Sequence, residues 1–139
     1  MSPQEHKSIL AAAAKAFNDP TRRSEWLGIH DPSVAAHGLG PDTLDLEGLS
    51  RFYEGLWDAF PGLHITVDDM VGEDDRVSWR LNVSGVHEAE FRGVPATGRE
   101  VRFGAQYIFR FRDGRVVERW TNFDRLGVLV QLGAIPAPV

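Results

Sequence analysis

The residues best placed to do chemistry lie near the end of the chain, in the stretch ERWTNFDRLGVLVQLG from Glu118 to Gly133. Glu118, Asn122 and Asp124 recur there at even spacing around Trp120. A carboxylate walled by aromatic side chains loses hydration, its pKa rises, and it can take up and return a proton near neutrality. Asp124 also suits a plainer role. The run DRLGVLVQLG reads as a short final helix with Asp124 as N-cap and Gly133 as C-cap. Cap and acid/base both remain open, and the two can coexist. Among the histidines, His87 continues the inward series Trp79, Leu81, Val83, Gly85, and an imidazole there titrates near physiological pH. His6 sits near a helix start and reads as solvated. His30 and His37 fall in a Gly/Pro/Asp-rich segment, and His64 opens a strand.

Several chemistries are excluded or unsupported. The chain has no cysteine, which removes disulfides, zinc–thiolate sites and thiol nucleophiles. No histidine–carboxylate pair shows metal-ligand spacing, so no metal is expected. HGLGPD lacks both the preceding strand and the third glycine of a dinucleotide fingerprint, and neither a nucleophile elbow nor a P-loop is present.

The elements that position these residues follow from periodicity. Ser2, Pro3 and Glu5 form the start signal of a first helix carrying Ile9, Leu10, Ala13, Ala16 and Phe17 on one face. Asp19 to Leu27 predicts a short helix, and Gly28 to Thr43 reads as loop. Asp45 caps a second helix striped by Leu49, Phe52, Tyr53, Leu56, Trp57 and Phe60, and Pro61 ends it. The period then changes to two. Strands are predicted over about Leu63–Val71, Arg76–Glu90, Glu100–Arg112 and Arg115–Phe123. GEDD at Gly72 to Asp75 marks one hairpin turn whose register stays open. Asp113-Gly114 marks a second, as a two-residue type I′ turn.

That second turn pairs Arg112 with Arg115. Counted outward, it sets Phe109 against Glu118, Tyr107 against Trp120, Ala105 against Asn122 and Phe103 against Asp124. Opposed residues share a sheet face. Glu118, Asn122 and Asp124 would then stand on the apolar face with Phe103, Tyr107 and Trp120. Three polar groups on such a face must find partners or line a cavity. The other face collects Arg76, Arg80, Arg102, Arg110 and Arg119, interleaved with Ser, Asn, Gln and Thr. It reads as a solvated or subunit-packing face, without the aromatic platform that single-stranded RNA requires.

The 139 residues suit one domain spanning 1–139, of α+β class, with helices packed on a curved antiparallel sheet. A formal net charge of -5 gives no general attraction for nucleic acid or anionic lipid. With no long apolar run and no leader pattern, a cytoplasmic protein without membrane association is expected.

The order of helix, HG-containing loop, helix ending LWDAFPGLHITVDDMVGEDDRVSWRL, then VHEAEFRGVPATGREVRF and DGRVVERWTNFDRLGVLVQLGAIP resembles the SnoaL-like polyketide cyclase family. That family belongs to the nuclear transport factor 2-like superfamily. The likeness runs from about His37 to Pro136, and its E-x-W-x-x-x-D-x-x-G-x-x-x-Q-L-G segment is the most specific part. It implies a cone-shaped α+β barrel, commonly a homodimer, enclosing one deep pocket. It also implies cofactor-independent ring closure by intramolecular aldol condensation, with the family's acid/base aspartate at Asp124. On this reading Asp124 and His87 are the catalytic candidates. Trp120, Asn122, Tyr107, Phe103, Trp79, Trp57, His37 and Glu118 line a pocket for a hydrophobic carbonyl compound. The superfamily's epoxide hydrolases use an Asp-Arg-Asp set, and this reading puts no arginine on the inward face. The alternative is a noncatalytic small-molecule binder of the same fold, since fold alone does not fix function.

Overall fold

The structure is a computed structural model that describes residues 1–137; Pro138 and Val139 lie outside the described residues. Helix α1 (Pro3–Phe17) begins with the predicted capping box. The Glu5 N–H donates to Ser2 Oγ at 3.1 Å, and the Ser2 N–H donates to Glu5 Oε1 at 3.1 Å. A short α2 (Arg23–Leu27) follows. In α3 (Leu46–Ala59), Asp45 accepts from the Gly48 N–H at 2.8 Å, so the second predicted cap is also present. The helices press Leu10, Ala13, Phe17, Leu49, Tyr53 and Trp57 toward the sheet. His6 is buried rather than solvated: its ring stacks on Phe111 with centroids 4.3 Å apart, because it lies on the same face of α1 as Leu10 and Ala13.

The sheet is curved and open, in the order β1-β5-β4-β3-β2. Strands β2 (His64–Glu73), β3 (Arg76–Val86), β4 (Glu100–Arg112) and β5 (Arg115–Phe123) form an antiparallel meander. Asp113 and Gly114 both adopt positive φ, as the predicted type I′ turn requires. The first hairpin closes at Glu73–Arg76, and of its central residues Asp74 and Asp75 only Asp74 has positive φ. Strand β1 (His30–His37) corrects two expectations at once. It lies in the segment read as loop, and it pairs parallel to β5, so the sheet is mixed. Pro32 and Asp31 hid it. Proline is tolerated here because β1 is an edge strand, and the register breaks between His30 and Ala35 where Pro32 sits. At the end of β1, Gly38 has φ +90°, and a Cβ there would overlap the Thr121 carbonyl oxygen. Only glycine lets the chain turn away so close to β5.

The inward faces of β3 and β4 match their alternation. Val77, Trp79, Leu81, Val83, Val101, Ala105 and Phe109 are all buried. Trp79 stacks on Trp26 of α2 at 5.8 Å and meets Phe109 edge-on at 5.2 Å, which ties helices to sheet. Truncating such a buried aromatic costs roughly 3–5 kcal/mol.

Candidate active site

The β4–β5 hairpin decides what faces inward. Arg112 pairs with Arg115 and Phe111 with Val116, as the two-residue turn demands. The register then slips, so that Arg110 pairs with Glu118, Phe109 with Arg119, Ile108 with Trp120, Tyr107 with Thr121 and Gln106 with Asn122. Val117 is the extra residue of a β-bulge, and Val116 and Val117 are both buried. Because strand side chains alternate with period two, one inserted residue exchanges the faces of everything beyond it. Glu118, Trp120 and Asn122 therefore point to the outer face, and Arg119 and Thr121 point inward. This reverses the expectation for all five.

On the outer face, His37 Nε2 meets Glu118 Oε2 at 2.8 Å, and Arg110 donates to Glu118 Oε1 at 3.3 Å. The hydrogen bond from His37, then that from Arg110, holds the Glu118 carboxyl below its ordinary pKa. Trp120 stacks on the His37 ring at 5.6 Å, and the Arg76 guanidinium lies 5.4 Å from its ring centre. His37, Glu118, Trp120 and Asn122 are thus absent from the cavity they were expected to line. Asp124 is exposed, and its Oδ1 accepts the Gly127 N–H at 2.8 Å to cap α4 (Arg125–Gln131). In this conformation the carboxylate has no access to the interior. The local signal for a cap was sound, whereas its inward facing depended on the register that the bulge interrupts.

Inside, an apolar cavity opens between α1, α3 and the concave sheet. Its walls include Phe52, Phe60, Phe91, Phe103 and Phe123, with Val128 of α4 closing one side. Phe103 and Tyr107 line it as expected. Trp79 and Trp57 are buried behind the wall instead, Trp57 against Phe17 and Tyr53. His87 also stands behind, stacked on Phe60 at 5.3 Å, with Nδ1 accepting the Thr97 N–H at 3.2 Å. That bond leaves the proton on Nε2, which is buried without a partner. The polar groups among the lining residues are the hydroxyls of Tyr53 and Tyr107.

Behind those hydroxyls sits Arg119, 0% exposed. One terminal nitrogen donates to Tyr53 Oη at 2.7 Å and to Thr121 Oγ1 at 3.2 Å. The other donates to His30 Nε2 at 3.1 Å, and His30 Nδ1–H donates in turn to the Leu27 carbonyl at 3.0 Å. Burial, then the adjacent guanidinium, pushes the His30 pKa down to about 3, so the imidazole is neutral. The guanidinium also lies 4.8 Å from the Tyr107 ring centre. Burial first, then the neighbouring Tyr53, raises the Tyr107 pKa well above its ordinary value, so this phenol keeps its proton. An arginine cannot shed its charge in a protein. Among the described residues no carboxylate pairs with Arg119, and its Nε has no hydrogen-bond partner. The absence of an inward arginine, expected from the unbroken register, is thereby corrected. Arg119, Thr121, Tyr53 and His30 are the polar interior that the sequence reading missed. The signal was available in the improbable trio Glu118, Asn122 and Asp124 on an apolar face, which one bulge at the Val116-Val117 doublet resolves. No group of three or more His, Asp or Glu suited to a metal ion occurs among the described residues.

The model of the SnoaL-like polyketide cyclase family matches residues 8–132. The chain belongs to that family. Among solved structures it is similar to AclR, a candidate hydroxylase from Streptomyces galilaeus. They share 30% identity over 97% of this chain and 100% of AclR, with a TM-score of 0.89. IdmH, a candidate polyketide cyclase from Streptomyces antibioticus, is 31% identical over 92% of this chain and 98% of its own, with a TM-score of 0.79. A SnoaL-like protein from Jannaschia shares the fold at 22% identity, with a TM-score of 0.85 over 98% of each chain. Comparison with curated protein sequences gives no match. The family shown is the one its C-terminal motif suggested. No helix among the described residues is long and apolar enough to cross a membrane.

Proposed function

We propose that this family member binds a hydrophobic carbonyl compound in the aromatic cavity and closes a ring in it by an aldol-type reaction, without an organic cofactor. The observation carrying this reading is an apolar cavity whose lining includes Tyr53 and Tyr107, with the Tyr53 hydroxyl bonded to a buried cation. AclR is named a candidate hydroxylase and IdmH a candidate polyketide cyclase, at similar identity, so the reaction must be read from this chain's own groups. A base removes a proton from the carbon next to one carbonyl. The resulting enolate oxygen accepts hydrogen bonds from Tyr107 and Tyr53, with Arg119 supplying positive charge behind them in a dry site. The carbanion carbon then attacks a second carbonyl of the same molecule, and the new alkoxide takes a proton back. Asp124 is the base in this proposal. Phe123 before it and Val128 after it line the cavity, and the role requires its carboxylate to leave the Gly127 N–H, at about 1 kcal/mol for a cap. His87, behind Phe60, is not assigned a proton-transfer role.

A second reading is supported by the lining itself. No carboxylate or imidazole lines the cavity among the described residues, which suits a binder that never turns over its ligand. Incubation with polyketones, followed by mass spectrometry and NMR of the products, separates the two. A ring-closed product formed faster than in buffer supports the cyclase; binding with no conversion leaves the binder. The proposal also keeps the homodimer, through the outer face bearing Ile108 and Trp120. Elution at twice the chain mass is expected on sizing, and a monomer at all concentrations would remove it.

A further inference from the structure

We infer that the cavity is built for a ligand with an oxygen anion, carboxylate or enolate-like, held by the Tyr53 and Tyr107 hydroxyls, with Arg119 as the positioning charge behind them. The inference rests on reading the aromatic cavity as the ligand site and adds the charge its ligand must bring. Removing a cation from water costs on the order of several kcal/mol unless a counter-charge joins it. Here the guanidinium is 0% exposed, its neighbours Tyr53, Thr121 and His30 are neutral, and Nε is unpartnered. The aromatic faces of Tyr107, Phe109, Tyr53 and Trp26, at 4.8, 5.4, 5.5 and 5.9 Å, offset part of that cost, but a ring quadrupole is not an anion. The charge reaches the cavity through its hydrogen-bonded neighbours. Tyr53 Oη accepts from Arg119 and keeps its own proton to donate, and Tyr107, in hydrogen-bond range of both Tyr53 and Arg119, lines the same cavity. An oxygen anion bound there would complete the arrangement without contacting the guanidinium itself. His30 is held as a neutral acceptor by the Leu27 carbonyl and so adds no second cation.

Three flat probes on one ring system test this: 2-methylnaphthalene, 2-naphthol and 2-naphthoate, titrated into the full chain and followed by fluorescence. The expected result is that 2-naphthoate binds at least about 10-fold tighter than 2-methylnaphthalene, or that bound 2-naphthol ionises at least one pH unit below the free compound. The first marks a carboxylate ligand and the second an enolate-like oxygen. Arg119→Met should abolish either preference while the hydrocarbon still binds. Tyr107→Phe, which keeps the packing against Phe109, should weaken the preference several-fold and serves if the arginine variant does not fold. Equal binding of all three probes together with an unshifted ionisation of bound 2-naphthol overturns the inference, as does an anion preference unchanged in Arg119→Met. Turnover of polyketones is scored separately. A cyclase with no anion preference would refute this inference alone, and an anion preference without any turnover would refute the cyclase reading alone.

Discussion

Arg110 and Arg119 differ in what surrounds them although they sit on paired strands of one hairpin. Arg110 lies on the outer face, part-exposed, and shares Glu118 with His37. Arg119 lies on the inner face with no acid among the described residues. The outer charge is balanced where water would have tolerated it anyway, so its pairing is worth at most about 1 kcal/mol. The inner charge is left unbalanced where imbalance is costly. A charge maintained against that cost is better explained by what it does for a ligand than by what it does for the fold. The bulge at Val117 turns Arg119 inward, whereas the unbroken alternation of β4 keeps Arg110 outward.

The largest effect on stability is expected from removing that residue. Deleting Val117 takes out the bulge but leaves Glu118 opposite Arg110 and Arg119 opposite Phe109, so both arginines keep their faces and only a buried valine is lost. The deletion variant should fold and lose about 1.5–3 kcal/mol by urea denaturation. A variant that binds apolar probes but no longer keeps Arg119 and Thr121 inward would show that the pairing of Glu118 with Arg110 does not fix the faces.

Asp124 sharpens the comparison, since it stands on the outer side in this conformation yet is the proposed base. Asp124→Asn should lower turnover by roughly 100-fold and leave stability nearly unchanged, because Asn caps as well as Asp. Asp124→Ala should cost about 1 kcal/mol by urea denaturation. Full activity in Asp124→Asn would confine this residue to the cap. Gly127→Ala offers a complementary probe, since its Cβ would overlap Asp124 Oδ2 and must displace the carboxylate from the cap. Activity that survives alongside a loss in stability is the expected result, checked by assaying both on the same preparation.

The smallest effects belong to the outer network. Glu118→Gln should change stability by less than about 1 kcal/mol. The Glu118 carboxyl titrates below its ordinary value of about 4.5 in the folded state, so the unfolded chain binds the proton more readily. Its contribution is therefore present above about pH 4.5 and is lost as pH falls through the folded value. Stability measured from pH 6 down to pH 3 should fall slightly less steeply in Glu118→Gln than in the wild type.

Much of this molecule was legible in its sequence. The capping box at Ser2, the Asp45 cap, the bounds of β4 and β5 and the Asp113-Gly114 turn follow from local rules, and local geometry obeys them. The family followed from the C-terminal motif. Two features did not follow. Strand β1 gains its identity from pairing with β5, far away in sequence, and Pro32 masks it locally. The bulge at Val117 obeys no turn rule, and its effect is carried along the strand to every later residue, which misplaced Glu118, Arg119, Trp120, Thr121 and Asn122 together. The polar interior was therefore sought on the wrong side of β5. Tyr53 was read only as part of an apolar stripe, because its hydroxyl acquires meaning once Arg119 is beside it.

Urea denaturation of the ligand-free wild type and Arg119→Met tests most directly whether the buried arginine serves a ligand rather than the fold. If it serves a ligand, the methionine variant should be as stable as the wild type within about 1 kcal/mol, or more stable, because an unpaired buried charge is replaced by a packed apolar chain. A loss of about 3 kcal/mol or more, comparable to truncating a large core side chain, would contradict this and make Arg119 a structural keystone.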